Sequence, residues 1–113
     1  MITIWHHPRC SKSRQTLALL EQHGGEITIR KYQEDAPSTD EIRAALTALD
    51  LDAVDVIRTG EALFKTLGLS RQSESETLIA AMADNPALIE RPIVFANGRA
   101  AIGRPPENVF KIL

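Results

Sequence analysis

The sequence predicts an α/β fold. Three observations carry that expectation: short apolar strand-like runs near both ends of the chain, helix-type periodicity between them, and an Asn97-Gly98 hairpin dipeptide near the C-terminus. A length of 113 residues fits one domain, spanning 1–113, that buries roughly two-thirds of the surface its unfolded chain exposes. The composition, 43% hydrophobic and 25% charged, is that of an ordinary globular protein, which excludes disordered and fibrous classes. No window approaches the roughly 18 apolar residues of a membrane span, and the N-terminus lacks a signal-peptide pattern, so a cytoplasmic protein without membrane partners is expected.

Ile2-Thr3-Ile4-Trp5 reads as a short buried strand, ended by His6-His7-Pro8. Ser11 or Ser13 can cap a helix from about Lys12 to His23, with Leu17 and Leu20 on one face and Gly24-Gly25 as its stop. Glu26 to Arg30 alternates, with apolar Ile27 and Ile29, and a right-handed crossover would lay it parallel to the first strand. Ser38 and Glu41 have capping-box spacing ahead of Ile42, Ala45, Leu46 and Leu49, which repeat at i, i+3, i+4 and i+7. Ala53 to Ile57 reads as an apolar turn, Glu61 to Leu67 as a short helix stopped by Gly68, and Ser73-x-x-Glu76 as the opening of another that ends at Asn85-Pro86. Ile93 to Ala96 and Arg99 to Ile102 flank the hairpin dipeptide; Pro105-Pro106 then starts a last helix with Val109, Phe110 and Leu113 on one side.

The order is therefore β-α-β, a helical insertion at about 38–85, a β-hairpin and a final helix. That is the element order of a thioredoxin-like fold: a four-stranded mixed sheet with flanking helices. In such folds a redox cysteine follows the first strand at a helix N-terminus, and a proline before the third strand is usually cis. Cys10 and Pro92 occupy those places.

The single cysteine can make neither an internal disulfide nor a multi-cysteine zinc site, so Cys10 is a buried filler, a surface residue or a reactive thiol. The formal net charge is −2, which argues against duplex nucleic acid as a ligand. The distribution says more. Residues 1–20 contain no acid, while His6, His7, Arg9, Lys12 and Arg14 surround Cys10. A helix N-terminus, Lys12, Arg14 and His6 would each favour the thiolate, which is the nucleophilic form. Ser13 completes a C-x-x-S spacing: it can donate to the thiolate, cap the helix, or both, but it cannot close a disulfide, so an external thiol must resolve any adduct. Nine of the thirteen basic residues are arginines, the residue type suited to bidentate oxyanion recognition.

The stretch from His6 to Thr16, His-His-Pro-Arg-Cys-Ser-Lys-Ser-Arg-Gln-Thr, resembles the His-x-Pro-x-Cys-x-x-Ser-Arg-x-Thr signature of the glutaredoxin-dependent arsenate reductases of the ArsC family. Ile57-Arg58, Glu90-Arg91-Pro92-Ile93-Val94 and Gly103-Arg104-Pro105-Pro106-Glu107 agree with it, and the resemblance covers the whole chain. It implies that Cys10 attacks the arsenic of arsenate, that Arg58, Arg91 and Arg104 bind the oxyanion, that His6 lowers the Cys10 pKa, that Ser13 hydrogen-bonds its sulfur and that Arg14 belongs to the catalytic loop. It also implies glutathione as co-substrate, glutaredoxin as protein partner, no bound cofactor or metal, and a monomer. Ser11-Lys12 stands where the arsenic-resistance members carry Gly-Thr, and the chain lacks their longer tail, so it is similar to a short bacterial subgroup. Two other functions share the fold: a glutathione-linked thiol-disulfide oxidoreductase, and a Spx-like redox regulator that binds RNA polymerase. Such sensors usually carry C-x-x-C, against which Ser13 argues. A tyrosine-phosphatase-type reductase needs C-x5-R, and Thr16 occupies that arginine's place.

Overall fold

The computed structural model describes all 113 residues. The chain divides into two compact units, Met1–Asp35 with Arg91–Leu113, and Ala36–Glu90. The helical segment expected at about 38–85 thus lies within a unit of its own.

The first unit holds four strands, β1 (Ile2–Trp5), β2 (Ile27–Arg30), β3 (Ile93–Ala96) and β4 (Arg99–Ile102), in the order β2-β1-β3-β4. β1 and β2 are parallel, whereas β3 runs antiparallel to both β1 and β4. Asn97 and Gly98 both have positive φ, as the tight turn joining two right-twisted strands requires. This is the thioredoxin-like mixed sheet that the element order predicts. The register sets Ile2 opposite Ala96 and Ile4 opposite Val94, so one face of the sheet is apolar. Against it lie helix α1 (Ser11–His23) and a 3₁₀ helix (Pro106–Ile112), closing a core of Ile2, Ile4, Leu20, Val94, Ala96, Ala101, Val109 and Ile112. Each large side chain fully buried there contributes roughly 1.5–3 kcal/mol. On the opposite face Trp5 meets Phe95 at 5.0 Å between ring centroids, and the Arg30 guanidinium lies 5.7 Å from the Trp5 ring.

The C-terminal segment differs from the expected amphipathic α-helix. A 3₁₀ helix has three residues per turn, so the buried side chains are Pro106, Val109 and Ile112, while Phe110 is 49% exposed. Two caps differ as well. Cys10, not Ser11 or Ser13, is the N-cap of α1. Ser73 accepts a hydrogen bond from the Ser70 N–H in place of capping a helix with Glu76, so that helix starts at Ser75.

The second unit contains α2 (Thr39–Leu49), α3 (Ala53–Val56), α4 (Ala62–Thr66), α5 (Ser75–Asp84) and a 3₁₀ turn (Pro86–Leu88). The capping box of α2 forms as expected: Ser38 Oγ accepts the Glu41 N–H and Glu41 Oε1 accepts the Ser38 N–H. Arg43 joins Asp40 on its own helix to Glu76 on α5. Ile57 and Ile89 form an isolated antiparallel bridge. No helix is long and apolar enough to cross a membrane.

Candidate active site

Strand β1 delivers His6 to the C-terminal edge of the sheet, where its N–H donates to the Arg30 carbonyl at 2.8 Å. The chain then turns, with the Cys10 N–H donating to the His7 carbonyl at 2.9 Å, and enters α1 at Cys10. At this N-cap the thiol stands where a capping oxygen would, before N–H groups that have no partner inside the helix.

Burial of the thiol raises its pKa, but that effect is outweighed by the Ser13 N–H, a hydrogen bond from Arg91, the Lys12 N–H and the charge of Arg104; the net result lies below the ordinary thiol value. The sulfur's side-chain cations thus come from beyond residue 90, and not from Lys12 and Arg14 as the loop suggests. Lys12 acts through its backbone. Arg14 donates from Nη1 to the Pro8 carbonyl at 3.0 Å, bracing the loop.

Ser13 reaches the sulfur as expected, but through its backbone N–H, while its hydroxyl pairs with His6. Ser13 is fully buried; its hydroxyl accepts the His7 N–H at 3.0 Å and lies 2.7 Å from His6 Nδ1. Both contacts are satisfied when the hydroxyl gives its one proton to an unprotonated Nδ1. Burial lowers the His6 pKa, and the charges of His7, Lys31 and Arg14 lower it further. A neutral imidazole supplies no positive charge to the thiolate. His6 instead holds Ser13, whose N–H serves the sulfur.

Arg104 is set by the turn after β4. Its Nε donates to the Arg91 carbonyl at 2.7 Å and its Nη2 to Cys10 Sγ at 3.4 Å. The turn is pinned by the Gly103 N–H to the Pro92 carbonyl at 3.0 Å and by Asn108 Nδ2 to the Ile102 carbonyl at 2.9 Å. Gly103 is required for closeness: a Cβ there would lie 2.4 Å from Thr16 Oγ1 and 2.8 Å from Pro92 Cγ. Thr16 is itself fixed by donating to the Lys12 carbonyl at 2.8 Å. Both Arg91-Pro92 and Arg104-Pro105 are cis, the first at the place anticipated for the fold. In the sequence Gly103 and Thr16 stand out only as members of the matched segments, with no role at the site; the Gly-Arg-Pro-Pro run was the available signal.

Arg58 belongs to the helical unit. The Ile57–Ile89 bridge, with the Arg58 N–H donating to the Leu88 carbonyl at 2.7 Å, brings it beside Glu90. Its Nη1 donates to Glu90 Oε1 at 2.7 Å and its Nε to Glu61 Oε1 at 3.0 Å. Burial disfavours its charge, but Glu90 and Glu61 more than offset this and its pKa is raised. Cys10, His6, Ser13, Arg91 and Arg104 therefore gather in one unit, while Arg58 is held by carboxylates in the other. His23 lies in the last turn of α1, outside this cluster. No group of three His, Cys, Asp or Glu side chains is placed to hold a metal ion.

A thiolate at a helix N-terminus with two guanidinium groups beside it can draw in a tetrahedral oxyanion and offset the repulsion between like charges as the sulfur approaches. The sequence matches the ArsC family over residues 5–112. An arsenate reductase of Neisseria meningitidis is 45% identical over 114 residues, covering 99% of this chain and 97% of the relative. One from Haemophilus influenzae is 43% identical, covering 99% and 98%. The solved arsenate reductase from Vibrio cholerae is similar at a TM-score of 0.95 and 47% identity, covering 99% of this chain and 97% of that one. The chain belongs to the ArsC family.

Proposed function

We propose that this protein reduces arsenate to arsenite, with Cys10 as nucleophile and glutathione and glutaredoxin as the electron source. The observation that carries the reading is the Arg104 guanidinium on Cys10 Sγ at 3.4 Å, with Arg91 on the same sulfur, in a chain whose full-length relatives are named for arsenate reduction. The Cys10 thiol condenses with dihydrogen arsenate, forming an S–As bond and releasing water while arsenic stays pentavalent. Arg91 and Arg104 supply the donors that hold the arsenate oxygens and stabilise the charge that builds on them. A glutathione thiol replaces a second hydroxyl, again releasing water. A glutaredoxin thiolate then attacks the glutathione sulfur; the As–S electron pair stays on arsenic, which becomes trivalent, and the two sulfurs leave as a mixed disulfide. Water releases arsenite and restores Cys10.

C-x-x-S fits this sequence of steps, because Ser13 cannot intercept the adduct as a second cysteine would. The reading is tested with purified protein, glutathione, glutaredoxin, glutathione reductase and NADPH. NADPH oxidation is expected to depend on arsenate and to vanish in Cys10→Ser. Turnover at the no-arsenate rate sinks the proposal, and faster reaction with a glutathionyl disulfide than with arsenate replaces it by a disulfide oxidoreductase.

A further inference from the structure

A cleft opens at the carboxyl ends of the parallel strands β1 and β2, lined by His7, Pro8, Arg9, Lys31, Gln33 and Glu34. Ligands of α/β sheets favour this end of parallel strands. The cleft adjoins the nucleophile, since Arg9 precedes Cys10 and the Cys10 N–H donates to the His7 carbonyl. Arg9 and Lys31 are both exposed and take part in no ion pair, and exposed Glu34 lines the same cleft, which therefore holds two cations and one carboxylate. The positive charge reaches inward as well: Lys31 is among the groups that depress the pKa of buried His6. Bare arsenate would gain from the cations but not from Glu34, which repels it. A molecule carrying both carboxylates and an ammonium group uses every charge in the cleft.

We infer that this cleft is the docking site for the thiol co-substrate, a γ-glutamyl thiol peptide of the glutathione class, with Arg9 and Lys31 taking carboxylate and Glu34 the α-ammonium group. The inference rests on the proposed thiol-dependent reaction and adds the place where the second thiol sits. The γ-linkage adds two methylene carbons between the sulfur-bearing middle residue and the α-ammonium end, so that end lies about two residue lengths away, about 7 Å at some 3.3–3.6 Å per residue. The peptide's thiol would meet a Cys10-bound arsenic while one end lies in the cleft. Arg91 and Arg104 remain for the oxyanion, so the two substrates use different cations.

The test is binding of S-methylglutathione, which cannot condense with arsenic, to the labelled full-length protein, followed by amide chemical shifts. Shifts centred on His7, Arg9, Lys31 and Gln33 are expected, with affinity reduced about tenfold in Arg9→Ala and in Lys31→Ala, the size of one charge-assisted hydrogen bond. The same variants are expected to raise the KM for glutathione about tenfold and leave the KM for arsenate near wild type. Shifts elsewhere, an unchanged glutathione KM in both variants, or identical shifts from inorganic sulfate at equal concentration each overturn the inference. Binding in the cleft by a protein that fails to reduce arsenate upholds the site and removes the proposed reaction. Arsenate turnover without binding in the cleft does the reverse.

Discussion

Replacing Gly103 by alanine is expected to disable the site without touching any charged group. The added Cβ would stand 2.4 Å from Thr16 Oγ1, 3.1 Å from Thr16 Cγ2 and 2.8 Å from Pro92 Cγ. Non-bonded carbons settle at about 3.5–4.0 Å, so the turn must retreat by something approaching 1 Å. The Gly103 backbone does not adopt a positive φ, so the methyl group is the whole perturbation. Overpacking of this kind costs roughly 1–3 kcal/mol, which for a chain of this size lowers the melting temperature by about 4–12 °C. The same retreat carries Arg104 from its 2.7 Å hydrogen bond to the Arg91 carbonyl and its 3.4 Å contact with Cys10 Sγ. Binding of arsenate or sulfate is therefore expected to weaken by at least about tenfold. Adding Thr16→Ala removes two of the three close atoms, and coupling of 0.5–3 kcal/mol is usual for residues in contact, so the double variant is expected to recover part of both losses. Thermal melting and calorimetric titration with sulfate measure the two effects. A Gly103→Ala protein that melts and binds like wild type refutes the close approach, and a double variant that shows no recovery refutes the assignment of the clash to Thr16.

Ser13→Ala is expected to cost about 1–3 kcal/mol in urea denaturation, because the His7 N–H and buried His6 lose a shared partner. It is expected to shift the Cys10 titration less than Arg104→Ala does, since Ser13 serves the sulfur through its backbone. His6 is held neutral, with a pKa below the ordinary 6.5, whereas the unfolded chain can protonate it. The unfolded state thus binds more protons between those two values, and stability falls as pH drops through that window; pH-dependent melting should lose this component in His6→Asn. Glu90→Gln removes the carboxylate at 2.7 Å from Arg58 and is expected to destabilise by roughly 1–2 kcal/mol, read by helical circular dichroism during urea unfolding.

Periodicity and turn chemistry make most of the fold legible in the sequence. The alternation in β1, the capping box before α2 and Asn97-Gly98 are local signals, and local geometry realised each of them. The C-terminal segment shows the limit: Val109-Phe110 looks the same to an α-period and a 3₁₀-period, and only packing on the sheet selects Ile112 over Phe110 for burial. At the site, Cys10 and the arginines are legible as residue types, but their contacts are not. The loop cations next to Cys10 in sequence are the natural candidates to activate it, yet Arg14 turns to Pro8 while Arg104, 94 positions away, reaches the sulfur. Such pairings depend on the sheet register and on the Gly103 turn, neither of which a one-dimensional pattern contains.

The rate of Cys10 alkylation against pH tests the central claim most directly, because that claim is a thiolate held by a helix N-terminus and two distant arginines. An unperturbed thiol titrates near about 8.5. The wild-type midpoint is expected below that value, rising in Arg104→Ala and in Arg91→Ala while Lys12→Ala and Arg14→Ala stay close to wild type. A wild-type midpoint at or above the ordinary value, or one that moves with Lys12 and Arg14 but not with Arg91 and Arg104, contradicts the account.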